Sequence, residues 1–245
     1  MCNISQSKLW CCVAFLDIVY FNNINSKDSM DVFEFGKSSC GLSLTAYRRE
    51  QGLKRVLLLA GVHGDEWEGV FVAKQILLES VKSDLNVDLT IVPVLNLDGF
   101  LRGTRRNVND IDLNRNLLTL DWSSDGIDER FYAGKEANSE IENKSLISYI
   151  EEWGVEFIIS LHSWKHALMN VNGDCLEEAE AAKEYNFLDI KGDIGYSTPG
   201  CLGTYGVERR IPVITYEIDR GLFSRSEMLK HVLAIKSAIS TFGGK

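Results

Sequence analysis

Residues Val56 to Gly69 read V-L-L-L-A-G-V-H-G-D-E-W-E-G. Val56 to Ala60 is an apolar run of strand length, and Gly61 and Gly64 break it. An amphipathic segment follows from Val70 to Leu78. The stretch therefore predicts a strand, a tight turn and a helix. His63 and Glu66 stand in the turn with H-x-x-E spacing. Imidazole and carboxylate are zinc donors, and Zn²⁺ favours four N, O or S donors in tetrahedral geometry. A catalytic zinc keeps one of the four positions for water, so a third protein ligand is needed elsewhere in the chain.

Working outward, the chain has four histidines: His63, His162, His166 and His231. His162 directly follows the apolar run F-I-I-S-L. A histidine after a strand is ordinarily a satisfied structural residue. Here it supplies the donor that His63 and Glu66 lack, and it is the expected third ligand. His166 lies beyond S-W-K and is not expected to bind. His231 falls in a C-terminal helical pattern and is expected on the surface.

The remaining pattern alternates strands and helices. Val32 to Phe35 and Leu42 to Tyr47 flank G-K-S-S-C-G, a hairpin signal. Leu89 to Leu95, Val155 to Leu161 and Ile211 to Tyr216 read as further strands. Ser139 to Trp153 reads as a helix capped by Ser139, and Ser226 to Thr241 as a closing helix. This order predicts an α/β fold: a mixed, twisted central sheet with helices on both faces. Ligands of such sheets collect beyond the carboxyl ends of strands. His63, His162 and Glu217 are each expected just past such an end.

Asn96 to Asp128 is long, polar and almost without periodicity, and a loop of that length in a compact domain is usually functional. It carries Arg102, Arg105, Arg106 and Arg115, whose forked donors suit carboxylates, and Asn114 and Asn116, which offer amides. A solvated basic loop paired with Asp110 and Asp112 would account for the charge. It would not account for the N-R-N triplet in a chain with a candidate zinc site.

H-G-D-E, D-L-N-R-N, L-H-S-W and V-I-T-Y-E, in this order and at these separations, resemble the zinc metallocarboxypeptidases of the carboxypeptidase A type. The resemblance runs from about Met30 to the final helix. N-L-D-G, R-G-T-R-R-N, A-N-S-E-I-E-N-K and S-T-P-G-C-L-G-T-Y are most similar to the bacterial murein peptide amidase branch, which cleaves γ-D-glutamyl–diaminopimelate bonds. The resemblance implies one zinc ion on His63, Glu66 and His162, with Glu217 as general base. It implies that Asn114 and Arg115 grip the substrate's terminal carboxylate. Arg105 is implied as the arginine that polarises the scissile carbonyl, with Arg102 and Arg106 as close competitors. Tyr196 is implied as a mobile tyrosine covering the substrate. Leu202 and Gly203 fall near the family's specificity pocket, where no charged residue stands. The implied partner is a small peptide with a free C-terminal carboxylate. Other amide hydrolases on this scaffold compete with that reading: carboxypeptidases acting on protein tails, deglutamylases among them, and acyl-amino-acid deacylases. A non-catalytic binding module would ordinarily lack a ligand or the base, and all four positions are present.

Length and charge agree with this. The 245 residues allow one domain with a large core, and the net charge of −9 argues against nucleic acid as a partner. Residues 30–245 are expected to form the catalytic domain, with 1–29 as an extension. Leu9 to Phe21 is apolar, but Asp17 interrupts it and no cleavage site follows, so neither a membrane span nor a signal peptide is expected. The six cysteines lack C-x-x-C spacing and read as free, buried thiols. The expected compartment is the cytoplasm, with a periplasmic or secreted location if residues 1–29 act as a signal.

Overall fold

The computed structural model describes residues 30–80, 83–124 and 128–245. The expected 1–29 extension lies outside them. One eight-stranded sheet organises the chain: β1 (Asp31–Lys37), β2 (Ser43–Glu50), β3 (Arg55–Leu59), β4 (Asp88–Val92), β5 (Phe157–Trp164), β6 (Leu168–Asn172), β7 (Asp189–Lys191) and β8 (Val213–Asp219). Their spatial order is β1-β2-β4-β3-β5-β8-β6-β7. The four central strands, β4, β3, β5 and β8, run parallel. β2 and β6 lie antiparallel on either side of them, so the sheet is mixed. The helices are α1 (Trp67–Ser80), α2 (Leu97–Arg102), α3 (Ile141–Trp153), α4 (Leu176–Asn186), α5 (Leu202–Glu208) and α6 (Arg225–Gly243).

Strand side chains alternate between faces, and each face is sealed by its own helices. Val56 and Leu58 of β3, Phe157, Ile159 and Leu161 of β5, and Ile214, Tyr216 and Ile218 of β8 pack with Val72 and Ile76 of α1 and Ile235 and Ile239 of α6. Leu57 and Leu59 of β3, Ile158 of β5 and Val213 of β8 pack on the other side, with Leu146 and Ile150 of α3 and Leu202 and Tyr205 of α5. Fully burying a leucine or isoleucine contributes roughly 1.5–3 kcal/mol, so this two-faced core dominates the fold.

Several expectations need correction. His162 and Glu217 lie inside β5 and β8, not past their ends. The strands extend that far because they pair in register through Trp164 and Asp219. The Ser139 side chain does not cap α3: it donates to Glu140 Oε1, and Glu140 is the capping residue without a side-chain bond. His231 is buried, not superficial, and the Tyr216 hydroxyl lies 2.8 Å from its Nδ1. The long polar segment contains α2 and a 3-10 turn at Leu113–Arg115. Cys40, Cys175 and Cys201 are free thiols, yet Cys40 is exposed and only Cys175 is buried. Among the described residues, no helix is long and apolar enough to cross a membrane.

Candidate active site

The H-G-D-E turn links the end of β3 to α1, and it is pressed against the start of α2. A Cβ on Gly64 would lie 2.1 Å from the carbonyl carbon of Gly99, so the two backbones touch there. This seating brings His63 and Glu66 to the carboxyl edge of the central strands. His63 Nδ1 lies 2.9 Å from Glu66 Oε1, and His162 Nδ1 lies 3.0 Å from Glu66 Oε2. The two Nδ1 atoms are 3.1 Å apart, although 99 residues separate the histidines. All three side chains are buried, at 2–3 % exposure.

The outer nitrogen of each ring is also held. His63 Nε2 lies 3.1 Å from Asp112 Oδ1, and His162 Nε2 lies 3.0 Å from Ser160 Oγ. With Nε2–H donating to the Asp112 carboxylate, the His63 Nδ1 lone pair is turned inward; the Ser160 contact turns that of His162 inward in the same way. Two imidazole lone pairs and a carboxylate thus converge in one buried space, an N, N, O donor set that fits zinc. Burial opposes charge on Asp112, but its His63 and Arg105 partners outweigh it and hold the carboxyl below its ordinary range, so it stays ionised.

Glu217 faces the same space. It is the register partner of His162 across β5 and β8, on the same sheet face, where adjacent strands lie about 4.8 Å apart. Burial raises its carboxyl; His162 acts against the rise and Glu66 adds to it, leaving Glu217 at about 7. A carboxyl tuned close to neutrality suits proton transfer.

Of Arg102, Arg105 and Arg106, Arg105 is the one at the cluster. Its Nε and Nη2 bind Asp112 Oδ2 at 3.0 and 2.9 Å, and Nη1 reaches His63 Nδ1 at 3.2 Å and Glu66 Oε1 at 3.3 Å. Arg106 turns away to the carbonyls of Asp110 and Glu129, and Arg102 ends α2 on the surface. Asn114 Oδ1 accepts from Leu202 N, and among the described residues its Nδ2 has no hydrogen-bond partner. Arg115 spends one donor on its neighbour's carbonyl, Asn114 O at 2.8 Å, and lies against the Phe131 ring. Asn116 is not a substrate donor. It is fully buried, and its Nδ2 binds Ala133 O, Glu136 O and Ser139 Oγ, which ties the loop to the start of α3. Tyr196 is half exposed and within electrostatic reach of Arg115, Glu217, Arg105 and Arg130.

Four further residues at the site were not singled out by the sequence reading. Asp112, first in D-L-N-R-N, holds both His63 and Arg105. Glu68, fully buried, accepts from Ser163 Oγ at 2.8 Å and Gly221 N at 2.6 Å, joining α1 to the ends of β5 and β8. Arg220 follows β8 and binds Asp65 beside the ligand turn. Phe131 packs beneath the guanidinium groups of Arg105 and Arg115. Spacing gives no signal for the last three, which arise from packing between distant segments.

The chain is similar to proteins of known family. The family described as zinc carboxypeptidase matches residues 20–198, more than half of the chain. Murein peptide amidase A of Vibrio campbellii is 31% identical over 202 residues, 75% of this chain and 77% of that protein. Its counterpart in Escherichia coli K12 is 29% identical over 223 residues, 80% and 88% of the two chains. The crystal structure of murein-tripeptide amidase MpaA from Escherichia coli O157 superposes with a TM-score of 0.72 at 22% identity, covering 89% of this chain and 96% of that one, a likeness of fold. The chain belongs to the zinc carboxypeptidase family, whose members are zinc-dependent hydrolases.

Proposed function

We propose that this protein hydrolyses a C-terminal amide bond in peptides that end in a free carboxylate. Its substrates are murein peptides, and the bond is the one between γ-D-glutamate and meso-diaminopimelate. The observation that carries the reading is the convergence of His63, Glu66 and His162, with Glu217 paired to His162 across the sheet and Arg105 bound to Glu66. The 31% and 29% identity to proteins named murein peptide amidase A supports the substrate class.

His63, Glu66 and His162 are the residues that would hold zinc. Bound there, zinc supplies Lewis acidity toward the amide carbonyl and lowers the pKa of water. Glu217 takes a proton from the attacking water and returns it to the leaving amine, a role contributing typically 10²–10⁴-fold. Arg105, its plane held by Asp112, keeps Nη1 directed at the cluster. A fixed donor aimed at a developing oxyanion contributes roughly 3–4 kcal/mol. Arg115 and Asn114 present unspent donors to the terminal carboxylate, which selects a chain end over a mid-chain bond.

The test is hydrolysis by the zinc-loaded protein of Ala–γ-D-Glu–diaminopimelate, its C-terminally amidated form, a polyglutamate peptide and an N-acyl amino acid, each with a chelator control. Chelator-sensitive release of diaminopimelate from the first peptide alone is expected. Cleavage of the polyglutamate or acyl substrate without the first would refute the substrate assignment.

A further inference from the structure

Among the described residues around the site, one arginine has no hydrogen-bond or acid partner for its guanidinium. Arg105 is engaged by Asp112 and Glu66, Arg106 by two backbone carbonyls, and Arg220 by Asp65. Among the described residues Arg115 has one side-chain hydrogen bond, to Asn114 O, and is assigned above to the terminal carboxylate. Arg130 has no side-chain hydrogen bond or acid partner among the described residues. Its backbone N–H donates to Asp128 Oδ1 at 2.8 Å, which fixes the Glu129–Phe131 turn that carries it.

The position of Arg130 is specific. Its guanidinium carbon lies 5.5 Å from the centroid of the Phe131 ring, and those of Arg105 and Arg115 lie 5.1 and 5.3 Å from the same ring. Three cations thus gather around one aromatic side chain. Tyr196, on the loop before α5, lies in the field of all three and of Glu217. Like charges repel, so three guanidinium groups at one ring are costly unless anions meet them. The net charge of −9 makes this local concentration of positive charge more distinctive, and it attracts anionic ligands.

We propose that Arg130 recognises a second carboxylate of the substrate, apart from the terminal one gripped by Arg115. This rests on the assignment of Arg105 and Arg115 to substrate. A γ-linked glutamyl bond leaves the glutamyl α-carboxylate free beside the scissile amide. Diaminopimelate brings a distal carboxylate on the leaving side. Either presents the planar acceptor that a guanidinium fork binds.

The test compares the zinc-loaded full chain with Arg130→Gln and Arg130→Lys on matched peptides. The first is Ala–γ-D-Glu–diaminopimelate. A second has the glutamyl α-carboxylate amidated, and a third has lysine in place of diaminopimelate. An independent pair places N-acyl-glutamyl or N-acyl-glutaminyl before a C-terminal phenylalanine, so the inference is read even if murein peptides are not cut. The wild type is expected to favour a carboxylate-bearing member by about 10- to 100-fold in kcat/KM, mainly through KM. Arg130→Gln should remove that preference, and Arg130→Lys should restore part of it. Loss of preference at the amidated peptide places the second carboxylate beside the scissile bond, and at the lysine peptide on the leaving residue. Equal losses on all peptides, or a preference untouched by Arg130→Gln, would overturn the inference. Murein peptides cut without preference would overturn it while sparing the proposed function. Preference within the glutamyl–glutaminyl pair, with murein peptides intact, would do the reverse.

Discussion

Asp112 holds His63 through Oδ1, 3.1 Å from Nε2, and with its other oxygen it holds Arg105. One carboxylate therefore sets the orientation of a candidate metal ligand and of the arginine beside it. Asp112 is fully buried, and burial would raise its carboxyl, but His63, Arg105 and Arg115 outweigh that and keep it ionised. Its acceptor capacity is shared by donors from three residues, since Asn114 N also binds Oδ1 at 2.9 Å.

Asp112→Asn should weaken zinc binding about 10- to 100-fold, because an amide cannot accept on both sides and the His63 ring loses its fixed tautomer. Chelator-competition titration measures this. Unchanged zinc affinity would show that the His63 ring is held by packing alone.

Glu217→Gln should retain zinc and lose about 10²–10⁴-fold in kcat, since the amide has the carboxylate's shape without its basicity. Metal content and steady-state rates on the same preparation separate the two effects. A near-normal kcat would remove Glu217 from the reaction.

Gly64→Ala should destabilise the fold by about 1–3 kcal/mol and lower zinc occupancy with it. The added methyl would lie 2.1 Å from the Gly99 carbonyl carbon and 2.2 Å from Phe100 N, and backbone atoms there have no rotamer to yield. The turn carrying His63 would have to lift from α2. Thermal unfolding with and without zinc reads both consequences.

His231 makes stability depend on pH. Burial holds its imidazole below the ordinary histidine range, against the pull of Asp219 and Glu227. The unfolded chain then binds this proton more readily than the folded one, so the neutral ring's contribution is present above about pH 6.5 and is lost as pH falls below it. The Tyr216 hydroxyl meets Nδ1 at 2.8 Å and takes an Asn186 Nδ2 donor on its other side, so it donates to the ring. Protonating Nδ1 would break that bond. In metal-free protein, the stability advantage over His231→Gln should shrink between pH 7.5 and 5. A pH-independent difference would contradict the assignment.

Local pattern was enough to locate much of this machinery. The apolar run before Gly61, the glycines of the turn and the amphipathic segment after it specify β3, the ligand turn and α1, because strand and helix periods are properties of neighbouring residues. The apolar runs before His162 and Glu217 likewise marked β5 and β8. Polar or short elements were missed: L-M-N-V-N of β6, the three residues of β7, and helices α4 and α5 carry too few apolar residues to show a period. Sequence order also could not show that β5 and β8 are neighbours. That adjacency sets Glu217 beside His162, and it depends on which strands bury each other's edges across the whole sheet. The same holds for Asp112 behind His63, for His231 under Tyr216 and for three arginines at Phe131. Residue type and spacing announce which side chains can do chemistry, whereas distances between segments far apart in the chain come from packing, which no local period encodes.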